Sequence, residues 1–373
     1  MLHQGAKMNI GTLEAFQLSK NQSSIESKLR EKILLGSEIL RAPPDRIMSP
    51  DLLGDRTRLD VMLLNGEVGL RGPPSVGGTP GFVRLPEIDS THPLIGEMVE
   101  TVRAARAPFP LASLRFRVDP TEGRGLWLDL PNEEIKALLS EPGDGFLARL
   151  MEADFFIEMG QKHKHVGRSP EGELKLLAPE AHAWLPSFTE QNVPVPLLSY
   201  VSLFSQPGPE ANRALLVTAF ELLDNAGVGR TSWSEWGAGY GNLSTAFASR
   251  LGTDGGWASE LDEAAAELLA RNLATFAPGV GTERLRADTV KHASEVWIAD
   301  PPRPGFPELF RALAELALGQ RPKWVMLFNC HNKGLISDAS LLTAAGYKLK
   351  SWSAVDVFPA TPYFEAISLW GRA

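Results

Sequence analysis

Cys330 is the only cysteine in the chain. It stands where the apolar run from Trp324 to Phe328 breaks into the polar stretch "NCHNKG". A lone thiol at such a point is either a small apolar filler or a nucleophile. As a thiolate it attacks electron-poor carbon near neutral pH and leaves again. A second chemical feature lies upstream in "EWGAGYGN", where Gly237, Gly239 and Gly241 are followed by Asn242. Glycines between a strand and a helix allow a tight turn and close backbone approach to a ligand. Glu260 ends the next strand and is placed to accept ribose hydroxyls. Glu235, four residues before Gly239, suits an ammonium-bearing tail better than a pyrophosphate, which a carboxylate repels. Asp288 follows the third strand position, where it faces an adenine edge. The turn lacks the G-x-G-x-x-G spacing of a dinucleotide site, so the pattern favours S-adenosylmethionine over a dinucleotide as cofactor.

These residues need elements to hold them. From about residue 209 onward, strands and helices alternate: "SWSEW", "LSTAFASRL", "GGWASE", "DEAAAELLARNLATF", "EVWIAD", "PELFRALAELAL", "KWVMLFN". That alternation predicts an α/β fold with a mostly parallel sheet covered by helices on both faces. Two consecutive strands, "YKLKSWSAVDVF" and "FEAISLWGR", are expected to close it as an antiparallel edge. This is the layout of a class I, Rossmann-like, S-adenosylmethionine-dependent methyltransferase domain. Residues 45 to 190 read differently. Short alternating runs between "NG", "GPPSVGGTPG" and "DPTEGRG" predict an antiparallel sheet interrupted by helices, an α+β domain. Residues 12 to 41 carry a helical pattern that Pro43 and Pro44 end. The expected organisation is therefore a helical segment over 1–44, an α+β domain over 45–190 and the methyltransferase domain over 191–373.

Composition narrows the partners. A net charge of −8 over 373 residues argues against bulk attraction to nucleic acid. The basic residues nevertheless cluster before residue 170, in "ILRAPPDR", "GDRTR", "SLRFR" and "GQKHKHVGR", the last containing Lys162 and Lys164. A basic binding module joined to a separate catalytic domain produces that asymmetry. No apolar window approaches a membrane span, and the opening residues lack a secretory pattern. One cysteine excludes a disulfide framework and a cysteine-rich metal site. A reducing, cytoplasmic setting with no metal and no membrane partner is expected.

Four further stretches sharpen the reading: "SLFSQPGPEAN", "WIADPPRPG", "LFNC" and "FPATPYFEAISLWGR". Together they resemble the RNA 5-methyluridine methyltransferases, most of all the bacterial tRNA (uracil-5-)-methyltransferase type. The resemblance implies that Phe204 and Gln206 fill the family's phenylalanine-x-glutamine motif. It implies that Asp300 to Arg303 form the D-P-P-R turn after the fourth strand. It makes Cys330 the nucleophile and Glu365 the general base. Asp300 and Gln206 are implied as uracil or cofactor contacts, Arg303 as a phosphate or loop contact. Arg56 and Arg58 match an arginine-bearing first strand, so with Lys162 and Lys164 they are expected to face RNA. The chain departs from the pattern at three places: His331-Asn332 stands for asparagine-proline, Gly208 for an asparagine, and Tyr363 for a histidine. The implied reaction is covalent. Thiolate addition to carbon 6 makes carbon 5 of uracil nucleophilic, and a carboxylate later removes the carbon 5 proton. The absence of a cysteine cluster and of an extra N-terminal barrel points to tRNA; ribosomal RNA and a diverged, non-methylating RNA-binding member are the alternatives.

Overall fold

The computed structural model describes residues 22–72, 81–85, 91–140, 145–160, 163–286, 289–290, 293–359, 361 and 363–372. It divides into two compact units, the first comprising Leu52–Leu185 and Ser199–Gly208, the second Gln22–Asp51, Pro186–Leu198 and Pro209–Ala373. The described chain opens with α1 (Gln22–Leu40) and β1 (Arg46–Met48), both in the second unit.

The first unit is one eight-stranded sheet with helices against a single face. Its elements are β2 (Arg58–Leu64), β3 (Glu67–Gly72), β4 (Gly81–Arg84), α2 (Pro93–Ala105), β5 (Leu111–Val118), β6 (Arg124–Asp129), α3 (Asn132–Leu139), α4 (Phe146–Glu152), β7 (Phe155–Met159), β8 (Lys164–Arg168) and β9 (Leu174–Leu177). The "NG" signal holds: Asn65 and Gly66 take φ of 50° and 84°, the geometry of the tight hairpin turn that joins β2 to β3. The strand order is β4-β3-β2-β5-β6-β7-β8-β9. Its pairs are antiparallel except β6 with β7, which run parallel. The antiparallel sheet expected from the sequence thus contains one parallel pair. The cause is the crossover through α3 and α4, long enough to return the chain to its starting side. Leu63, Val68, Phe116, Leu126 and Ile157 meet Ile95, Met98, Val102 and Leu147 in the core. The alternate residues form a polar row on the other face, where register aligns Asp60, Arg115, Trp127, Glu158 and His165.

The chain then passes through a paired hairpin, β10 (His182–Phe188) and β11 (Pro194–Ser199). The second unit continues with α5 (Pro209–Asn225), β12 (Trp233–Trp236), α6 (Asn242–Leu251), β13 (Gly256–Glu260), α7 (Glu263–Phe276), β14 (Gly281–Arg284), β15 (Val296–Ala299), α8 (Pro307–Glu315), β16 (Trp324–Asn329), α9 (Asn332–Ala344), β17 (Tyr347–Val355) and β18 (Glu365–Arg372). The sheet order is β1-β17-β18-β16-β15-β12-β13-β14. Strands β12 to β16 pair in parallel, and β18 runs antiparallel between β16 and β17. This is the expected α/β, Rossmann-like arrangement. The expected antiparallel edge is corrected in one respect: β1 pairs parallel to β17 and forms the outer strand. Three residues between prolines carry no alternation to read, whereas Asp45 N donating to Trp352 O and Asp356 N to Met48 O fix the strand in place.

Within the polar sequence "SWSEW", Trp233–Trp236 form a fully buried central strand. Its serine and its glutamate are both hydrogen-bonded. Ser294 Oγ donates to Ser234 Oγ at 2.9 Å, and Ser244 Oγ donates to Glu235 Oε2 at 2.5 Å. A buried polar group so paired costs little.

Candidate active site

The glycine turn runs off the C-terminal end of β12. Gly237, Gly239 and Gly241 all take positive φ, at 71°, 57° and 101°, a region where a Cβ is strained. A Cβ on Gly237 would meet Phe306 Cζ at 2.8 Å, whereas one on Gly239 would meet nothing within 4 Å. The Gly239 N–H donates to Glu260 Oε2 at 2.8 Å, and Glu260 Oε1 accepts from the N–H groups of Leu261 and Asp262 at 2.7 and 2.9 Å. A carboxylate has about four acceptor sites, so these three bonds leave room for another donor such as a hydroxyl. Open space at Gly239 beside that carboxylate fits a nucleoside cofactor.

Glu235 sits deeper than the reading above expects, at 1% exposed, bonded to Ser244 of α6. Burial, with help from the charges of Asp300 and Glu260, pushes its carboxyl up to about 8. Asn242 exchanges side-chain hydrogen bonds with Asn212 of α5, at 2.8 and 2.9 Å. It therefore ties two helices together at the foot of the turn.

Cys330 lies one residue beyond β16 and is half-buried. Glu365 opens β18 and is 4% exposed. Asn329 pairs with Ala366, so the antiparallel register brings Cys330 and Glu365 to the same level. Asp300 follows β15 and adds its charge to both. Burial first, then Glu365 and Asp300, push the Cys330 thiol far above its ordinary range, and Arg303 opposes them. Burial and Asp300 likewise hold the Glu365 carboxyl well above the usual carboxylate range. Glu365 Oε2 is buried with no hydrogen-bond partner among the described residues. An orphaned carboxyl oxygen at a strand end costs free energy and marks chemistry more often than architecture.

Three ties hold the loops around this pair. Asp338 of α9 is wholly buried and accepts from Phe306 N–H and from Asn329 Nδ2, both at 2.9 Å. It thereby links the loop after β15 to the residue before Cys330. Gly305 makes this possible, since a Cβ there would lie 2.3 Å from Asp338 Oδ1. Tyr363 is flanked by Arg303, 5.5 Å from its ring centroid, and by the His331 ring at 5.7 Å. Finally, Lys32 of α1 donates to Asp356 Oδ1 at 2.7 Å and to Phe358 O at 2.8 Å, holding the segment that leads to Glu365. Lys32 and Asp338 escape sequence reasoning because their partners Asp356 and Phe306 lie far away in the chain, and the Asn329–Asp338 bond follows no periodic spacing.

Phe204, Gln206, Arg56, Arg58 and Lys164 belong to the first unit. There Arg58 donates to Ser205 O and its guanidinium lies 4.7 Å over the Phe204 ring. Arg115 and Arg117 donate to Leu203 O, so three arginines clamp the carbonyls of one returning segment. Phe204 itself is 62% exposed, Gln206 is buried, and Lys164 is exposed on β8. A Cβ at Gly208 would lie 2.1 Å from Asp55 O, so the family's asparagine does not fit this packing. Asp288 and Lys162 lie outside the described residues. Among the described residues no cluster suited to a metal occurs, and no helix is long and apolar enough to cross a membrane.

Comparison with known proteins follows this geometry. The chain is 28% identical over 351 residues to an uncharacterized RNA methyltransferase of Bdellovibrio bacteriovorus, spanning 91% of this chain and 87% of that one. It is 29% identical over 208 residues to the 23S rRNA (uracil(1939)-C(5))-methyltransferase RlmD of Acidovorax sp. strain JS42, a match covering 45% of this chain and 41% of the relative. The chain thus spans less than half the length of the RlmD relative. Among solved structures, the Pyrococcus abyssi tRNA (uracil-54, C5)-methyltransferase in complex with S-adenosyl-L-homocysteine aligns over 99% of this chain and 88% of its own, with a TM-score of 0.63 and 16% identity. At that identity the likeness establishes the fold. No family model matches the chain. Its relatives are RNA methyltransferases, and its fold is theirs.

Proposed function

We propose that this chain, whose kinship lies with the RNA 5-methyluridine methyltransferases, uses S-adenosylmethionine to methylate carbon 5 of a uridine in RNA. One observation supports this above the others: the lone thiol, Cys330, and a buried carboxyl, Glu365, whose Oε2 has no hydrogen-bond partner among the described residues, meet at one level at the end of the sheet, beside Asp300.

The cofactor would be held by the turn from Gly237 to Gly241 and by Glu260, and it would supply a methyl group carried on a cationic sulfur. The chain's own residues do the rest. Cys330 adds as a thiolate to carbon 6 of the uracil. The carbon 5–carbon 6 electron pair moves toward the carbon 4 carbonyl, giving an enolate and a nucleophilic carbon 5. After methylation, Glu365 as carboxylate takes the carbon 5 proton. The double bond re-forms and Cys330 leaves as thiolate. General-base help of this kind is worth ~10²–10⁴ in rate. The free site holds the thiol protonated, and positive charge nearby, such as Arg303, favours its ionisation. A uridine within a folded RNA must be flipped out to reach the thiol.

Transfer RNA is the proposed acceptor, on the motif resemblance. Ribosomal RNA is the second reading, favoured by the RlmD relatives. Mass-spectrometric mapping of 5-methyluridine in both RNA pools, from cells with and without the gene, separates the two. The mark should vanish without the gene and stay absent when Cys330→Ala is supplied. Unchanged marks in both pools, or full methylation by Cys330→Ala, would overturn the proposal.

A further inference from the structure

The residue after the nucleophile is His331, and its ring is unusually constrained. Its Nδ1 accepts the N–H of Lys333 at 3.1 Å, capping α9. An imidazole nitrogen that accepts carries no proton, so the ring proton sits on Nε2. The ring lies 5.7 Å from Tyr363 at an interplanar angle of 33°, and Arg303 covers Tyr363 at 5.5 Å. Loops after β15, after β16 and before β18 thus contribute one side chain each to a stack beside Cys330. Burial, Arg303 and Lys333 all disfavour the charged ring, and the bond from Lys333 leaves Nε2 as the donor of the neutral ring.

We propose that His331 is a specificity-determining residue whose Nε2–H donates a hydrogen bond to the carbon 4 carbonyl oxygen of the acceptor uracil. This rests on the reading of the site as a uridine C5-methyltransferase. That oxygen gains negative charge when the thiolate adds at carbon 6, so a donor there stabilises the addition more than the ground state. The same donor discriminates between bases. Cytosine carries an amino group at carbon 4, and two donors facing each other leave both unpaired. The ring cannot change tautomer to accept from cytosine without losing the Lys333 hydrogen bond. His331 therefore performs chemistry at a position where the related family carries asparagine.

The test compares wild type, His331→Ala and His331→Asn on one RNA in three forms: with uridine, 5-fluorouridine or 5-fluorocytidine at the target. Asparagine retains both a capping oxygen and an N–H donor. His331→Ala should lose on the order of 10²-fold in kcat, with KM for RNA nearly unchanged. Its covalent adduct with 5-fluorouridine should form correspondingly slowly, and its preference over 5-fluorocytidine should shrink. His331→Asn should recover part of both. Equal kcat and equal base preference in His331→Ala would overturn the inference alone. So would a loss confined to KM that deepens with salt, which marks a phosphate contact. No 5-methyluridine and no adduct from wild type on any RNA would instead overturn the underlying reading and the inference with it.

Discussion

Cys330 and Glu365 face the same gap because Asn329 and Ala366, their inner neighbours, are paired across β16 and β18. The coupling runs one way: the charge of Glu365 raises the thiol, and burial with Asp300 raises the carboxyl. The ligand-free site therefore disfavours further negative charge on the thiol, and positive charge nearby favours it.

Alkylation of the single cysteine reads that coupling directly. The thiolate is the reactive form, and the thiol is raised, so the rate with iodoacetamide should climb about tenfold per pH unit between roughly pH 7 and 9. Glu365→Gln and Asp300→Asn each remove a negative neighbour and should speed the reaction at fixed pH by roughly threefold to tenfold. Arg303→Ala removes an opposing charge and should slow it. A slower reaction in Glu365→Gln would mean that the two groups are not coupled.

Asp338 predicts a stability signature with a definite sign. Its folded pKa is raised to about 6 from 3.8, chiefly by burial, against hydrogen bonds from Asn329 and Phe306. A raised carboxyl contributes stability below its unfolded value and loses it as pH rises through the folded one. Wild type should thus lose up to about 3 kcal/mol from this group between roughly pH 4 and 6. Other groups also titrate there, so the informative quantity is the difference from Asp338→Asn, measured by denaturant unfolding. Parallel pH profiles in the two proteins would refute the assignment.

Lys32 and Asp356 have side chains 1% and 0% exposed, 2.7 Å apart. Burial holds the lysine below and the aspartate above their ordinary values, so desolvation outweighs attraction and the pair is worth little net. Breaking it is another matter. Lys32→Met leaves Asp356 buried without its partner and should cost about 3–5 kcal/mol, seen as a lower denaturation midpoint. Adding Asp356→Leu should restore most of that loss. Failure of the double variant to recover would show that Lys32 acts through its bond to Phe358 O instead.

What the amino-acid pattern revealed, and what it hid, follows from range. The Asn65-Gly66 hairpin, the glycines after β12 and the strand ending at Asn329 are legible because turn chemistry and strand ends are local. The family-like motifs led to Cys330 and Glu365, but burial of Glu365 could not be read from a terminal hairpin, where carboxylates are usually solvated. The parallel pairing of β6 with β7 depends on where a crossover lands. The clamp of Arg58, Arg115 and Arg117 on carbonyls of residues 203 and 205 spans most of a unit, so a basic cluster that suggests RNA is partly architecture. Asp338, nine residues after Asn329, carries no periodic or capping signal.

The glycine turn offers a separation of fold from ligand. Gly239 has φ of 57° and open space where a Cβ would be, whereas a Cβ on Gly237 meets Phe306 at 2.8 Å. Gly239→Ala therefore incurs only the left-handed backbone cost, about 1–2 kcal/mol, with no clash among the described residues. Gly237→Ala adds a collision with a ring that must shift. If the open space is the cofactor cradle, the new methyl in Gly239→Ala occupies it. Calorimetry should then show a loss of S-adenosylmethionine affinity of at least tenfold in a protein that still unfolds cooperatively close to wild type. Gly237→Ala should lower the unfolding midpoint more than Gly239→Ala does. Wild-type affinity in Gly239→Ala would place the cofactor away from this turn, and Glu260 would then have no ribose to meet.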